Sequence, residues 1–573
     1  MTEAIAVAPV SKDRRIIWLM AALGFGSGLP YALLAGTLGN WLTNAGLSFA
    51  TIGVLSWIGL FYAFKFLWAP MFESLVPPFI STIGRRRAWM AACQAVIGLC
   101  LLGMSAFDPR VNISMFALFA ALGAFASASQ DIVIDAWRIE TANDRAPLDV
   151  LSTQYQLGYR LAALVGGAVA LLAADIYATP TDKAAAWPGI FVGMAVLMAL
   201  TILATLAVPE PLLQPRPPAK EIPAETSKLR RATVIPIALG WLLSGLALLS
   251  LMFLMLQPKP ADGSGIDIGK LRDSATIWIL LITIGAPIAV SFWLARKPGA
   301  LEIGTGSRHF VDVLFERVLA PLADIVQRYW LWAIPMLLLA MTYRIADSIW
   351  GSFASPFYLA ILQHSNSDIA LASKMFGVVA TLVGIALGGF ALTLIGRMPT
   401  LILGAILASI TNLLYVDLAH GGAGTQAFLD ATGLGFVLSG ILDNFVHAIQ
   451  ATGATIFDGV KLGPGLNQLV IVIIMENLAG GFASAVAIAW LSSIVNKNFA
   501  IVQYALLSSL AMLIGVIFRP KIGEYIDAVK DQGLPAQAQR FADVFVFAAW
   551  IGVIAVALAA LEWWRQSRAK PSA

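Results

Sequence analysis

The sequence predicts an all-helical membrane protein with two six-helix bundles and two inserted helices, about fourteen transmembrane helices in total. Apolar residues occupy 59% of the 573 positions and charged residues occupy 12%, about half the charged share of ordinary globular proteins. Mean hydropathy is +0.81 over the whole chain, which excludes a soluble enzyme with a single anchor. Apolar windows of roughly 20 residues, each long enough to cross a hydrocarbon core, recur along the chain.

Six apolar windows precede a basic connector, and we assign residues 1–208 to an N-terminal six-helix bundle. Lys12, Arg14 and Arg15 come directly before the first window. This window is longer than a signal-peptide core and lacks a clean cleavage site, so we expect an uncleaved helix. The six windows lie near residues 16–38, 52–72, 88–107, 113–137, 155–174 and 187–208.

The second half begins with a Pro-rich, charged connector at 209–232, which we place in the cytoplasm. We assign 233–329 to an inserted helix pair with a cytoplasmic linker, 330–564 to a C-terminal six-helix bundle and 565–573 to a cytoplasmic tail. The windows lie near residues 233–256, 276–295, 330–354, 371–394, 399–418, 468–491, 500–518 and 542–564.

One apolar segment, residues 432–450, is ambiguous. It contains Asp443, Asn444 and His447, which suits an interfacial helix better than a membrane span. We therefore leave it outside the membrane, within a long periplasmic segment near 419–467.

The distribution of basic residues predicts both termini in the cytoplasm. With that orientation most of the Lys and Arg residues fall in cytoplasmic loops, as the positive-inside rule requires. Arg85, Arg86 and Arg87 are the densest short-loop contribution, and we interpret them as a cytoplasmic gate. The formal net charge of +4 is too small to indicate a nucleic-acid partner.

Eight ionisable side chains remain inside the predicted spans. Each costs at least about 2.5 to 3.5 kcal/mol in hydrocarbon, so we expect these residues to line a cavity or to pair. Their depths predict two polar clusters, one in the cytoplasmic half of the first bundle and one from mid-membrane outward in the second. The first comprises Lys65, Asp131, Asp135 and Arg160, and the second comprises Arg344, Asp347, Lys374 and Glu476.

Asp131 and Asp135 are four residues apart and share one helix face. Two carboxylates in a low dielectric repel each other, so one of them is expected to carry a proton. Lys65 or Arg160 would then compete with the proton for the carboxylate. The alternative is that the charged residues form structural ion pairs that close gates; it applies best to Asp135, beside Arg138, and to the pair Arg344 and Asp347.

Several kinds of chemistry have no support in the sequence. It contains no Walker-type phosphate loop, no zinc motif with paired histidines and no Gly-x-Ser-x-Gly elbow, so we expect no catalytic residues, no metal and no cofactor. An ion gradient is the energy source that remains. Trp57, Trp68 and Trp350 are placed to offer ring faces to a sugar, although packing explains each of them better when it is taken alone.

Six helices, a connector and a second set of helices predict a major-facilitator-like architecture, with the binding site at the interface of two halves. The chain also resembles the AmpG muropeptide permeases over nearly all of the core helices. Ala128–Trp137 is the most specific of the matching runs, because the arginine loop occurs in many major-facilitator transporters. The runs are Gly26–Pro30, Lys65–Pro70, Gly84–Arg87, Ala128–Trp137, Gly158–Leu161, Glu476–Leu478 and Gln503–Ser508.

This resemblance implies a bacterial inner-membrane importer. Members of the family bring GlcNAc-anhydro-MurNAc, with or without stem peptide, from the periplasm to the cytoplasm with the proton gradient. The transport serves cell-wall recycling and, in some bacteria, β-lactamase induction. The implied partners are the muropeptide, protons and the lipid bilayer, and we expect a monomer.

The resemblance and the polar residues together define a candidate site. Proton coupling is assigned to Asp131, Asp135 and Glu476. Substrate binding or gating is assigned to Gly28, Lys65, Gln130, Tyr159, Arg160, Arg344, Asp347, Lys374 and Asn477. Two other functions remain open: transport of another bulky solute, such as a siderophore or a coenzyme-A thioester, and a membrane-embedded transferase. The transferase ranks low because the acids lie in helix interiors beside bases.

Overall fold

The computed structural model describes residues 13–65, 68, 72, 83–141, 148–211, 224–257, 267–297, 310–451, 457–494, 507 and 515–568. These residues form two compact units. The first unit comprises Met1–Leu38, Trp68–Ala170 and Ala186–Pro215. The second unit comprises Gly39–Leu67, Leu171–Ala185 and Arg216–Ala573, so it takes two segments from the first half of the chain.

The described residues are helical almost throughout, and we number the helices in chain order. The first half contains α1 (Arg14–Asn44), α2 (Phe49–Phe64), α3 (Arg85–Ala106), α4 (Ile113–Thr141), α5 (Val150–Ile176) and α6 (Trp187–Ala207). The second half contains α7 (Ala224–Met255), α8 (Ile268–Ala295), α9 (Phe310–Tyr329), α10 (Ala333–Thr342), α11 (Ile345–Trp350), α12 (Asn366–Leu394), α13 (Arg397–Ala419), α14 (Ala423–Thr432), α15 (Leu434–Gln450), α16 (Pro464–Ile494), α17 (Arg519–Asp527) and α18 (Leu534–Arg568).

The structure does not confirm the predicted count of fourteen spans. Within the described ranges, 12 helices are long and apolar enough to cross a membrane, or 13 if the bent pair α14 and α15 is one span. The two missing windows are those near 52–72 and 500–518. The first contains the shorter apolar helix α2, and most of the second lies outside the described residues, as does half of the predicted connector.

In the first unit, α1 packs against α5, and α3 packs against α4 and α6. Glycines allow α1 and α5 to approach closely. A Cβ atom on Gly158 would lie 1.8 Å from the carbonyl oxygen of Ala21, and one on Gly28 would lie 2.7 Å from that of Tyr159. Just after Pro30, α1 continues as the π-helical turn Ala32–Thr37, so its regular hydrogen-bond ladder is interrupted directly after the run Gly26–Pro30.

In the second unit, α12 packs against α16, and α13 packs against α16 and α18. Close approach again depends on glycine, because a Cβ atom on Gly384 would lie 2.1 Å from the carbonyl oxygen of Leu478. The bent pair α14 and α15 turns through 92°. Gly433 joins these two helices with a positive φ of 70°, a conformation that favours glycine.

The inserted helices α7 and α8 belong to the second unit and are held by ion pairs at opposite ends. At the start of α7, Arg230 lies 3.2 Å from Glu316 of α9. At the start of α8, Arg272 lies 2.6 Å from Glu524 of α17. Both arginine side chains are almost completely buried, so loss of either carboxylate would weaken the compensation of a desolvated charge, although Arg272 also pairs with Asp273 at 2.7 Å.

Candidate functional site

Asp131 is the central acid of the polar cluster in the first unit. It lies on α4, and its half-buried carboxylate accepts a hydrogen bond from the Ser27 hydroxyl of α1. The same hydroxyl lies 2.7 Å from the phenolic oxygen of Tyr155 on α5. Three helices therefore bring one carboxylate and two hydroxyl groups together, and a hydroxyl can either donate or accept as the carboxylate changes its charge.

Asp135, one turn along α4, has a different setting. Its carboxylate forms an ion pair of 3.0 Å with Arg138. The guanidinium of Arg138 also lies 5.1 Å from the centre of the Tyr155 ring, a cation–π distance. Asp135 and Asp131 thus share a helix face, but Asp135 is close to a fixed positive charge.

Gln130 is fully buried on α4, with a side-chain exposure of 0%. Among the described residues, neither its amide nitrogen nor its amide oxygen has a hydrogen-bond partner. A buried amide without partners costs about 1 to 3 kcal/mol per unsatisfied group. Such a cost in the most family-specific motif supports a role beyond packing.

Three further predicted residues lie at different places in the fold. Tyr159 is half-buried on α5, with its ring 6.1 Å from that of Tyr155. Arg160 is exposed on the same helix. Lys65 is half-buried just after α2 and belongs to the second unit.

In the second unit, Arg344 connects α11 with α16. Its guanidinium forms an ion pair of 2.9 Å with Asp347. It also donates to the hydroxyl of Ser484 and, at 3.4 Å, to the carbonyl oxygen of Gly480. The arginine therefore neutralises a neighbour on its own helix and binds the backbone of another.

Glu476 and Asn477 form a separate polar group on α16. The Asn477 amide donates to Glu476 at 2.8 Å and accepts from the Thr381 hydroxyl of α12 at 3.1 Å. Lys374 lies nearer the start of α12, in the π-helical turn Ala370–Phe376, with a half-buried side chain. The second predicted cluster therefore comprises an ion pair on α11 and an acid–amide pair on α16.

The arginine loop joins three helix ends of the first unit. Arg86 is buried and pairs with Glu140 at the end of α4, and Arg85 lies 3.7 Å from the same carboxylate. Glu210, after α6, accepts from the backbone N–H of Arg86 at 2.7 Å and of Arg87 at 3.2 Å. A helix N-terminus with free N–H groups attracts such a carboxylate.

Several of these partners were not predicted from the sequence. Ser27 and Tyr155 are neutral, so no intramembrane charge penalty marks them in the sequence. The only signal for Ser27 is its place in the matching run Gly26–Pro30. Glu140 and Glu210 lie at helix ends, where an acidic residue is unremarkable. Among the described residues, no group of three or more His, Cys, Asp or Glu side chains is arranged to hold a metal ion.

Two of the three tryptophans considered for sugar stacking are packing residues. Trp57 and Trp350 are each 4% exposed. The Trp57 indole donates to the carbonyl oxygen of Val516 at 3.1 Å, and the Trp350 indole donates to Asn412 at 2.8 Å. Trp68 is half-buried and donates to the Ser129 hydroxyl at 3.1 Å.

Comparison with known proteins addresses the family. The anhydromuropeptide permease of Escherichia coli K12 is 27% identical over 512 residues, which cover 89% of this chain and 74% of the permease. The putative transporter AmpG 4 of Rickettsia conorii is 23% identical, with 88% and 89% covered. The chain is therefore similar to AmpG-type permeases over most of its length. The resemblance predicted from the motifs is confirmed.

The AmpG-like chain has the major-facilitator fold. A crystal structure of a bacterial homologue of the human lysosomal transporter Spinster matches with a TM-score of 0.54 at 14% identity, covering 98% of this chain and 100% of that one. The family profile described as acetyl-coenzyme A transporter 1 matches residues 16–171. These relatives are transporters, so the prediction that the chain is not an enzyme is confirmed, and it is a multi-pass membrane protein.

Proposed function

We propose that the protein imports anhydro-muropeptides, GlcNAc-anhydro-MurNAc with or without stem peptide, by proton-coupled alternating access. Similarity to the anhydromuropeptide permease of Escherichia coli over 89% of the chain supports the substrate class. In this proposal the protein is a monomer in a bacterial inner membrane with both termini in the cytoplasm. Its transport serves cell-wall recycling and, in hosts that have the response, β-lactamase induction.

The contact between Ser27 and Asp131 carries the proton part of the proposal. A carboxylate that accepts from a hydroxyl can gain and lose a proton while the hydroxyl reorients, whereas a carboxylate held by a fixed cation resists protonation. Asp131 joins α1, α4 and α5 through Ser27 and Tyr155. A change of its protonation therefore changes the contacts between three helices, which is the coupling that a symporter requires.

The remaining polar residues are proposed to select the solute. A muropeptide offers hydroxyl, amide and carboxylate groups, so its site needs donors and acceptors of all three kinds. Gln130 presents an amide without a partner among the described residues, and Asn477 presents an amide shared with Glu476. We propose that Gly28, Lys65, Tyr159, Arg160, Lys374 and the pair Arg344 and Asp347 contribute to binding or gating.

Uptake measurement tests this proposal. Radiolabelled anhydro-muropeptide is offered to cells that lack their own permease and express this chain, with and without an uncoupler. We expect accumulation that the uncoupler abolishes. Absence of uptake by protein that is correctly inserted in the membrane would refute the proposed substrate, and accumulation that survives the uncoupler would refute proton coupling.

Transport of a coenzyme-A thioester is the second candidate. The match of residues 16–171 to the family described as acetyl-coenzyme A transporter 1 favours it. Competition distinguishes the two candidates in proteoliposomes. If acetyl-coenzyme A reduces uptake of labelled anhydro-muropeptide less than unlabelled anhydro-muropeptide does, the first candidate stands, and the reverse order supports the second.

A further inference from the structure

Two carboxylates of the second unit each bind the first residues of a helix that is distant in sequence. Asp527, the last residue of α17, accepts backbone N–H groups from Phe49 at 3.2 Å and from Ala50 at 2.7 Å, where α2 begins. Asp175, near the end of α5, accepts the backbone N–H of Ser367 at 2.6 Å and the side-chain amide of Asn366 at 2.7 Å, where α12 begins.

The two contacts have the same physical basis. The first N–H groups of a helix have no partner within the helix, and they form the positive end of its dipole. A carboxylate at that end makes charge-assisted hydrogen bonds, which are stronger than those between neutral groups. Each acid therefore holds the start of a helix that lies far away in the sequence.

Both acids lie beside closely packed glycines. A Cβ atom on Gly523 would lie 2.3 Å from the carbonyl oxygen of Phe49, and one on Gly53 would lie 2.6 Å from that of Arg519. On the other side, a Cβ atom on Gly459 would lie 3.1 Å from the Ser367 hydroxyl. Glycine at these positions lets the helix ends approach closely, so the contacts are part of a packed interface.

The position of these contacts in the chain indicates the side of the membrane on which they lie. Each acid joins a segment that precedes the connector at 209–232 to a segment that follows it. With both termini in the cytoplasm, α5 and α17 end on the periplasmic side, and α2 and α12 begin there. All four helix ends therefore lie on the outer side of the membrane in the predicted topology.

We propose that Asp175 and Asp527 are the two latches of an outer gate, each releasing the N-terminus of a helix when the transporter opens to the periplasm. This inference rests on the alternating access of the proposed function, but it does not depend on the identity of the solute. Asp175 precedes the connector and holds a helix that follows it, whereas Asp527 follows the connector and holds a helix that precedes it. Release of both is needed for opening.

Cysteine labelling tests the latches. Asn40 lies at the outer end of α1, is completely buried and donates to Asn366 at 3.5 Å. In a Cys93→Ala, Cys100→Ala background, Asn40→Cys is exposed to a membrane-impermeant maleimide added from the periplasmic side. The labelling rate is compared between protein with intact latches and protein that also carries Asp175→Asn, Asp527→Asn or both.

We expect each single substitution to raise the labelling rate at least about fivefold, because it replaces charge-assisted hydrogen bonds with weaker bonds between neutral groups, and the double substitution to raise it further. Asp527→Glu retains the charge and should restore part of the protection. Asp430→Asn removes an exposed carboxylate of α14 and serves as the matched control.

Two outcomes would overturn the proposal. One is equal labelling of the double variant and the latch-intact protein, with thermal unfolding used to establish that both are folded. The other is faster labelling from the cytoplasmic side only, which would place the contacts on the wrong side. Because the assay contains no solute, failure of the muropeptide assignment would leave a positive labelling result intact.

Discussion

The hydroxyl oxygen of Ser27 lies 2.7 Å from the phenolic oxygen of Tyr155, and Ser27 also donates to the carboxylate of Asp131. This contact joins α1, α4 and α5 through two neutral hydroxyl groups, and each hydroxyl can either donate or accept a hydrogen bond. In a bilayer, where an ionised group is costly, such a neutral pair lets a carboxylate change its protonation while its neighbours stay satisfied. It is the basis of the proton-coupling hypothesis.

Asp131→Asn should abolish gradient-driven accumulation and spare solute exchange. The amide keeps the shape of the side chain and an oxygen that accepts from Ser27, but it cannot take up a proton. Accumulation is measured under an imposed proton gradient and exchange by counterflow, with Asp430→Asn, which removes an exposed carboxylate of α14, as the control. Normal accumulation by the variant would show that the proton role belongs elsewhere.

Ser27→Ala and Tyr155→Phe should each lower the rate of coupled uptake about fivefold to thirtyfold, because each removes one hydroxyl from a buried network worth roughly 1 to 2 kcal/mol per bond. Substrate binding should change less than the transport rate. Initial uptake rates and binding affinities are measured side by side. A double variant that loses no more than either single variant indicates one shared network, whereas additive losses would contradict it.

Gly158→Ala should destabilise the protein by about 1 to 3 kcal/mol or more, because the new Cβ atom would lie 1.8 Å from the Ala21 carbonyl oxygen and force α1 away from α5. Gly193→Ala, on α6, is the matched control since nothing lies within 4 Å of its Cβ position. Thermal unfolding in detergent compares the two. A lower midpoint for Gly193→Ala than for Gly158→Ala would refute the close-approach argument.

Arg344→Met with Asp347→Asn should separate structural from transport roles. Either single substitution leaves one member of an ion pair of 2.9 Å without its partner, whereas the double substitution removes both charges. We expect the double variant to recover most of the stability lost in the single variants but not the uptake. If the double variant also recovers uptake, the two charges serve only to neutralise each other and have no role in transport.

The class and the approximate spans follow from the sequence because hydrophobicity is local. A window of about 20 apolar residues is long enough to cross a bilayer wherever it occurs, so the approximate position of most spans was predicted. The window near 330–354 was displaced, since the corresponding span is Leu314–Thr342. The windows at 52–72 and 500–518 were the exceptions in the count. The costly ionisable residues were also identifiable, since an acid or base in an apolar helix is conspicuous without any knowledge of its neighbours.

Hydrogen-bond partners were not predictable in the same way. Ser27 and Tyr155 are 128 positions apart, and Asp527 and Ala50 are 477 positions apart. A neutral hydroxyl inside a membrane span carries no charge penalty, so nothing marks it as unusual. A carboxylate at the end of a helix is also common, because it can lie outside the hydrocarbon core. A single sequence therefore contains no signal that marks either kind as a partner.

Sequence alone determined that this protein is a multi-pass helical membrane protein with AmpG-like motifs, because burial in lipid imposes a composition on every span. Only the tertiary structure decided which hydroxyls meet Asp131, which carboxylates hold the starts of α2 and α12, and that the inserted helices join the second unit. These contacts depend on how distant helices pack, and packing is set by the whole chain rather than by any window of it.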